Sequence, residues 1–297
     1  MSLAPCVVVV HRRSELDELL DQHGTRGQAE FFLRSRGRSL HDVQRPHDAL
    51  HLALSEVSAA IPVDWRRGST ERADLPRFVF EPGDVLVVVG PDGLVANAAR
   101  YLDGQLVIGI DPEPGRNAGI LVRHEAAQAQ ALLVAAVAGR APVEKRTMVR
   151  AELDDGQQLD TLNEVFVGHP THQSARYLLA VEGLGTERQS SSGLIVSTGT
   201  GATGWAASIA HDRAVVDALP RAGDRELAWF VREAWPSPAT GASLTSGRLH
   251  EVEALSLVVE SHELVVFGDG VESDRLVATW GQGIDLRISP RTLALVA

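Results

Sequence analysis

Three short runs, Val7–Val10, Asp84–Val89 and Leu106–Ile110, constrain this chain more than any other feature, because each is apolar at almost every position. A strand that is apolar at successive positions is buried on both faces, which places it in a parallel sheet covered by helices. The sequence between the runs is compatible with those helices. Ser14–Arg36 supplies Leu16, Leu19, Leu20, Phe31, Phe32 and Leu33; His47–Ile61 supplies Leu50, Leu52, Leu54 and Val57; Val95–Leu102 and the alanine-rich Glu125–Ala138 follow the second and third runs. Pro62–Arg67 reads as a short strand, and Asp111-Pro112-Glu113-Pro114-Gly115 as a turn. Strands alternating with helices give an α/β domain with a mainly parallel sheet over residues 1–145.

The pattern changes after Ala141-Pro142. Thr147–Leu153, Glu164–Val167, Tyr177–Val181, Gly193–Ser197, Ser256–Val259, Leu264–Phe267 and Ile284–Ile288 read as strands joined by turns, which predicts a β-rich, sandwich-like domain over residues 146–297, its C-terminal tail packing back on the first domain. Arg213–Gly247, rich in Pro, Gly and charge, is expected to interrupt these strands.

A length of 297 residues suits two domains, and 44% hydrophobic with 23% charged residues excludes wholesale disorder. The formal net charge of −11 argues against nucleic acid as a partner, since such binding rests on cations neutralising phosphates. With Cys6 the single cysteine, no intrachain disulfide can form, and a reducing, cytoplasmic setting is expected. Val7–Val10 reads as a buried strand rather than a signal peptide, and no window approaches the roughly 18–20 apolar residues of a membrane span. The eleven histidines are scattered and read as surface residues, His169 and His172 among them. The loops that define Rossmann oxidoreductases, P-loop kinases and nucleophile-elbow esterases are missing.

Two loops can carry chemistry. Gly90 and Gly93 flank Asp92 where a buried strand turns into a helix, and the unpaired N–H groups and positive dipole end of a helix start suit phosphate. The competing reading is a turn in which Asp92 only caps the helix. The second loop, Ser197-Thr198-Gly199-Thr200-Gly201-Ala202-Thr203-Gly204, lies between a buried strand and the apolar start Trp205-Ala206-Ala207-Ser208-Ile209. Its three glycines and four hydroxyl residues could wrap a phosphate without any cation, or could form a plain connector.

In order and spacing these loops resemble the NAD kinase family, especially its mitochondrial-type branch and bacterial relatives. The family's Gly-Gly-Asp-Gly-Thr loop matches Gly90-Pro91-Asp92-Gly93-Leu94, its Asn-Glu pair matches Asn163-Glu164, and its hydroxyl loop matches Ser197–Gly204. Gly109–Pro114, Ser191–Leu194, Val231–Glu233 and Phe267–Glu272 add to the resemblance. It implies an NAD kinase/diacylglycerol kinase-like fold with a nucleotide site in the cleft between two domains. The implied reaction is Mg²⁺-assisted phosphoryl transfer from ATP, or polyphosphate, to the 2′-hydroxyl of NAD. Asp92 would be the general base; Asn163 and Glu164 would contact adenosine; Thr203, Ser208 and Trp205 would meet the ligand along the hydroxyl loop. The resemblance also implies a homodimer or larger assembly. Pro91 removes one backbone donor from the cradle, Leu94 replaces its threonine, and Trp235-Pro236-Ser237-Pro238 stands where many bacterial members carry a histidine motif. A kinase acting on a sugar or lipid hydroxyl and a non-catalytic nucleotide binder are the competing readings.

Overall fold

The computed structural model describes residues 4–116, 119–216 and 219–297. The chain divides into two compact units, Met1–Glu144 with Ala294–Ala297, and Lys145–Leu293.

In the first unit the apolar runs form β1 (Cys6–His11), β3 (Asp84–Val89) and β4 (Leu106–Ile110), with β2 (Arg66–Glu71) as a fourth strand. All pair in parallel in the order β2-β1-β3-β4, and Ala294 and Leu295 extend β4 on its other side. The registers set His11 beside Val89 and Val89 beside Ile110, so these strands end together. Outside such a shared carboxyl edge α/β sheets hold their ligands. Helices α1 (Glu15–His23), α2 (Arg26–Arg34), α3 (Leu40–Ala60), α4 (Asp92–Ala99) and α5 (Ala129–Val137) complete the unit. Val7, Val9, Val85, Val87 and Val89 meet Leu50, Ala53 and Val57 of α3 and Leu133 of α5 in one buried cluster. Each buried Val or Leu side chain among them contributes about 1.5–3 kcal/mol.

Several boundaries differ from those the sequence predicts. Ser14–Arg36 is two helices, because Gly24 turns at φ 74° and Thr25 caps α2. Helix α3 starts seven residues earlier than expected, since Ser39 and Asp42 form a capping box that carries the helix through Pro46. The strand expected at 62–67 lies at Arg66–Glu71, a polar segment with Thr70 its one buried residue.

The second unit is antiparallel. Its strands are β5 (Val143–Leu153), β6 (Gln158–Thr161), β7 (Glu164–Gly168), β8 (Ala175–Val181), β9 (Gly185–Ser191), β10 (Leu194–Ser197), β11 (Leu227–Val231), β12 (Ser246–Leu249), β13 (Ala254–Val259), β14 (Glu263–Gly268), β15 (Val271–Thr279) and β16 (Gly283–Val296). One sheet runs β12-β11-β10-β7-β14-β15; in the other, β8 pairs β9 and β13, and β13 pairs β16. Both contribute to a single core around Trp229, Tyr177, Leu257 and Val167. Helix α6 (Trp205–Asp212) seats Ala206 and Ala210 against Ala228 and Phe230. Arg213–Gly247, expected to interrupt the strands, instead contains β11, buried at every position, and the first residues of β12.

Candidate functional site

Strand β3 ends at Val89, and Gly90, at φ 155°, swings the chain into α4. A side chain at Gly90 would press on Leu94 Cδ2 at 3.0 Å. Pro91 occupies the N-cap position of α4 without a side-chain cap, and Asp92 is the first helical residue. Asp92 does not cap the helix. Its Oδ1 accepts from the backbone N–H groups of Leu121 and Val122, both at 2.9 Å, and its Oδ2 from Ile120 at 3.0 Å. Three donors orient the carboxylate, and Oδ2 keeps a lone pair. The pinned segment reaches this place because Asp111 N donates to His124 O and His124 N to Gly109 O. Any side chain at Gly109 would run into the Leu121 carbonyl. Leu94 is 2% exposed, so this position points into the core and a threonine hydroxyl there would be buried. Gly93 is exposed, with no atom within 4 Å of a Cβ placed on it, which leaves its backbone open to close approach. A cavity of about 660 Å³ in this unit lies at the opposite edge, where Arg66, Asp84 and Leu106 begin their strands, away from Gly90.

In the second unit the pair Asn163-Glu164 stands at the start of β7. Asp269, at φ 53° in a Gly-Asp-Gly turn, accepts from Leu162 N (2.9 Å) and Asn163 N (2.7 Å), and its own N–H bonds Glu164 O at 3.3 Å. Asn163 O in turn accepts from Thr198 N at 2.9 Å and Ser197 Oγ at 3.3 Å. Burial first, and then the nearby charge of Asp269, push the half-buried Glu164 carboxyl up to about 7.

The hydroxyl loop is not the open cradle that its sequence predicts. Ser197, Thr198, Gly199, Thr200 and Gly201 are buried. Thr198 Oγ1 donates to Leu162 O (2.6 Å) and accepts from Thr200 N and Gly201 N, while Ser197 Oγ donates to carbonyls. Side chains at Gly199 and Gly201 would strike the Arg221 and Asn163 carbonyls. These residues brace Asn163 rather than face solvent. Thr200 Oγ1 is buried with no hydrogen-bond partner. Thr203, Gly204, Trp205 and Ser208, at the start of α6, are the exposed part, although Thr203 Oγ1 donates to Thr200 O at 3.1 Å.

Trp205, 36% exposed, stacks on Phe166 (centroids 5.6 Å apart, planes 20° apart), and the Arg232 guanidinium lies 5.1 Å from the Trp205 ring. Phe166 and Arg232 also line a cavity of about 290 Å³ with His169, His172 and Ser192. Asp269, Phe166 and Arg232 were not singled out as site residues from sequence. The Gly268-Asp269-Gly270 turn was a usable signal for Asp269 and the Val231–Glu233 match for Arg232; nothing local marks Phe166.

By fold, the chain falls in the class of two-unit proteins that combine a mainly parallel α/β layer with an antiparallel β-rich unit. No protein-family model matches it. It is 38% identical over 132 residues to the NAD kinase of Methylococcus capsulatus, covering 42% of this chain and 44% of that protein. It is 34% identical over 166 residues to the NAD kinase of Azotobacter vinelandii, covering 54% of each. The chain thus matches about half the length of these curated relatives.

Proposed function

We propose that the chain is an NAD kinase-like phosphotransferase, with an NAD kinase/diacylglycerol kinase-like fold divided at about residue 145, that moves a phosphoryl group from ATP or polyphosphate to the 2′-hydroxyl of NAD. The observation that carries this reading is the similarity to two NAD kinases. The geometry supports it residue by residue. Asp92, oriented by three N–H groups with a lone pair to spare, is suited to take the 2′-hydroxyl proton as that oxygen attacks the γ-phosphorus and ADP leaves. Gly90 and Gly93 let the backbone of the α4 start approach phosphate. Asn163 and Glu164, held by Asp269 and the braced loop, contact adenosine, and Trp205, Thr203 and Ser208 offer the exposed aromatic and hydroxyl groups of the loop. Mg²⁺ would be held by the donor's phosphates and would neutralise the charge that develops on them during transfer. The resemblance extends the reading to a homodimer or larger assembly in the cytoplasm.

An acceptor panel tests the reading. With γ-labelled ATP and Mg²⁺, label should appear on NAD and not on a simple sugar or a diacylglycerol. Label on either alternative would favour a kinase of another hydroxyl. NAD binding without transfer would favour the non-catalytic reading.

A further inference from the structure

Helices α1 and α3 meet at a small apolar cluster of Leu16, Leu19, Leu33 and Val43. Beside that cluster lies a group of side chains that the phosphotransfer reading does not use. His47 and His51 are four residues apart on α3, a spacing that puts both imidazoles on one face, one turn apart. Their rings stand 4.2 Å apart between centroids. Asp17 of α1 faces both: Oδ1 lies 3.5 Å from His47 Nδ1, and Oδ2 lies 4.0 Å from His51 Nε2. One ligand atom from each of the three residues lies within 4.8 Å of the others.

We propose that Asp17, His47 and His51 form a binding site for a divalent transition-metal ion of the zinc class that clips α1 to α3. Two imidazoles and one carboxylate suit zinc and its neighbours in the first transition series, whereas Mg²⁺ and Ca²⁺ take oxygen ligands, so this site is separate from the Mg²⁺ carried by ATP. Ligand atoms around a tetrahedral zinc stand about 3.3–3.5 Å apart, given metal–ligand distances near 2.0–2.2 Å. The present spacing is wider than this at His51, whose side chain is 56% exposed and can turn inward to close it. The carboxylate is already fixed. Ser14 N and Oγ both donate to Asp17 Oδ2, at 2.9 and 2.8 Å, leaving Oδ1 turned to His47. That is the outer support a ligating carboxylate needs. Ser14 Oγ also lies 2.8 Å from His47 Nδ1, so the ion would displace this contact while the Ser14–Asp17 bonds remain. The capping box of α1 accounts for Ser14 and Asp17. It does not account for a second imidazole against the first, which a shared metal ion does. Three protein ligands leave a fourth position to water.

The test uses the full chain, purified without a histidine tag and stripped with a chelator, and titrates Zn²⁺ by calorimetry. One ion should bind per chain. His47→Ala and His51→Ala should each weaken that binding at least tenfold, while His169→Ala should leave it unchanged. His51→Ala alters an exposed side chain and should fold normally; for it, Zn²⁺ should raise the melting temperature less than for the unaltered chain. Co²⁺ should give visible absorption bands that His51→Ala abolishes. No Zn²⁺ binding by the unaltered chain, equal affinity in the His47 and His51 variants, or equal binding of Mg²⁺ would each overturn the proposal.

Discussion

The Asp92 carboxylate holds the backbone of residues 120–122 whatever else it does, and this alters what its substitution reports. In Asp92→Asn one oxygen becomes an NH₂ group. Either the Ile120 N–H or the Leu121 and Val122 N–H groups then face a donor, at a cost of about 1–3 kcal/mol. The expected outcome is a lower melting temperature together with turnover lower by roughly 100-fold or more, measured well below the melt with NAD affinity nearly unaltered. A variant that loses stability but keeps turnover would leave Asp92 with the structural task alone. Glu164 gives a pH signature. Its carboxyl, ordinarily near 4.5, is pushed up to about 7, so the native state holds the proton more tightly than the unfolded chain. Its contribution to stability is therefore fully present below about 4.5 and is lost as pH rises through about 7. Glu164→Gln should flatten the fall in melting temperature across that window, and thermal melts at a series of pH values check it.

Elements differ in how plainly the sequence announces them, and burial explains the difference. Strands β1, β3 and β4 are legible because both faces are covered, whereas β2 and β15 are largely exposed and polar and carry no apolar pattern. The Gly90–Gly93 loop is legible as a motif, but the partners of Asp92 lie 28 to 30 residues away, where only Gly109 hints at a close crossing. The hydroxyl loop is legible as a loop and misleading in its chemistry, because the hydroxyls of Ser197 and Thr198 are taken by carbonyls and so brace Asn163. Thr198→Val should accordingly destabilise by about 1–3 kcal/mol, read by denaturant unfolding, as buried Leu162 O and two N–H groups lose their partner. At the start of α4 the opposite result is expected. Gly93→Ala meets open space and gains helix propensity of roughly 0.5–1 kcal/mol, so stability should hold or rise. If phosphate approaches that backbone, kcat/KM for NAD and ATP should nonetheless fall, and steady-state kinetics beside a melt separate the two effects.

For the whole molecule, a net charge of −11 with Lys145 as the single lysine means that, under the proposed function, phosphate would have to be met by backbone N–H groups, by arginines and by the donor's own Mg²⁺. Among the described residues no helix is long and apolar enough to cross a membrane. The similarity to NAD kinases covers about half of the chain, so the activity of the full chain is the claim that most needs a direct measurement. That measurement is the formation of NADP from NAD and ATP by the purified chain, followed with an NADP-specific dehydrogenase. We predict NADP in step with ADP, dependent on Mg²⁺, and reduced roughly 100-fold or more by Asp92→Asn. Absence of NADP from a folded chain that is given ATP or polyphosphate, or NADP formation that Asp92→Asn leaves unchanged, would contradict the account.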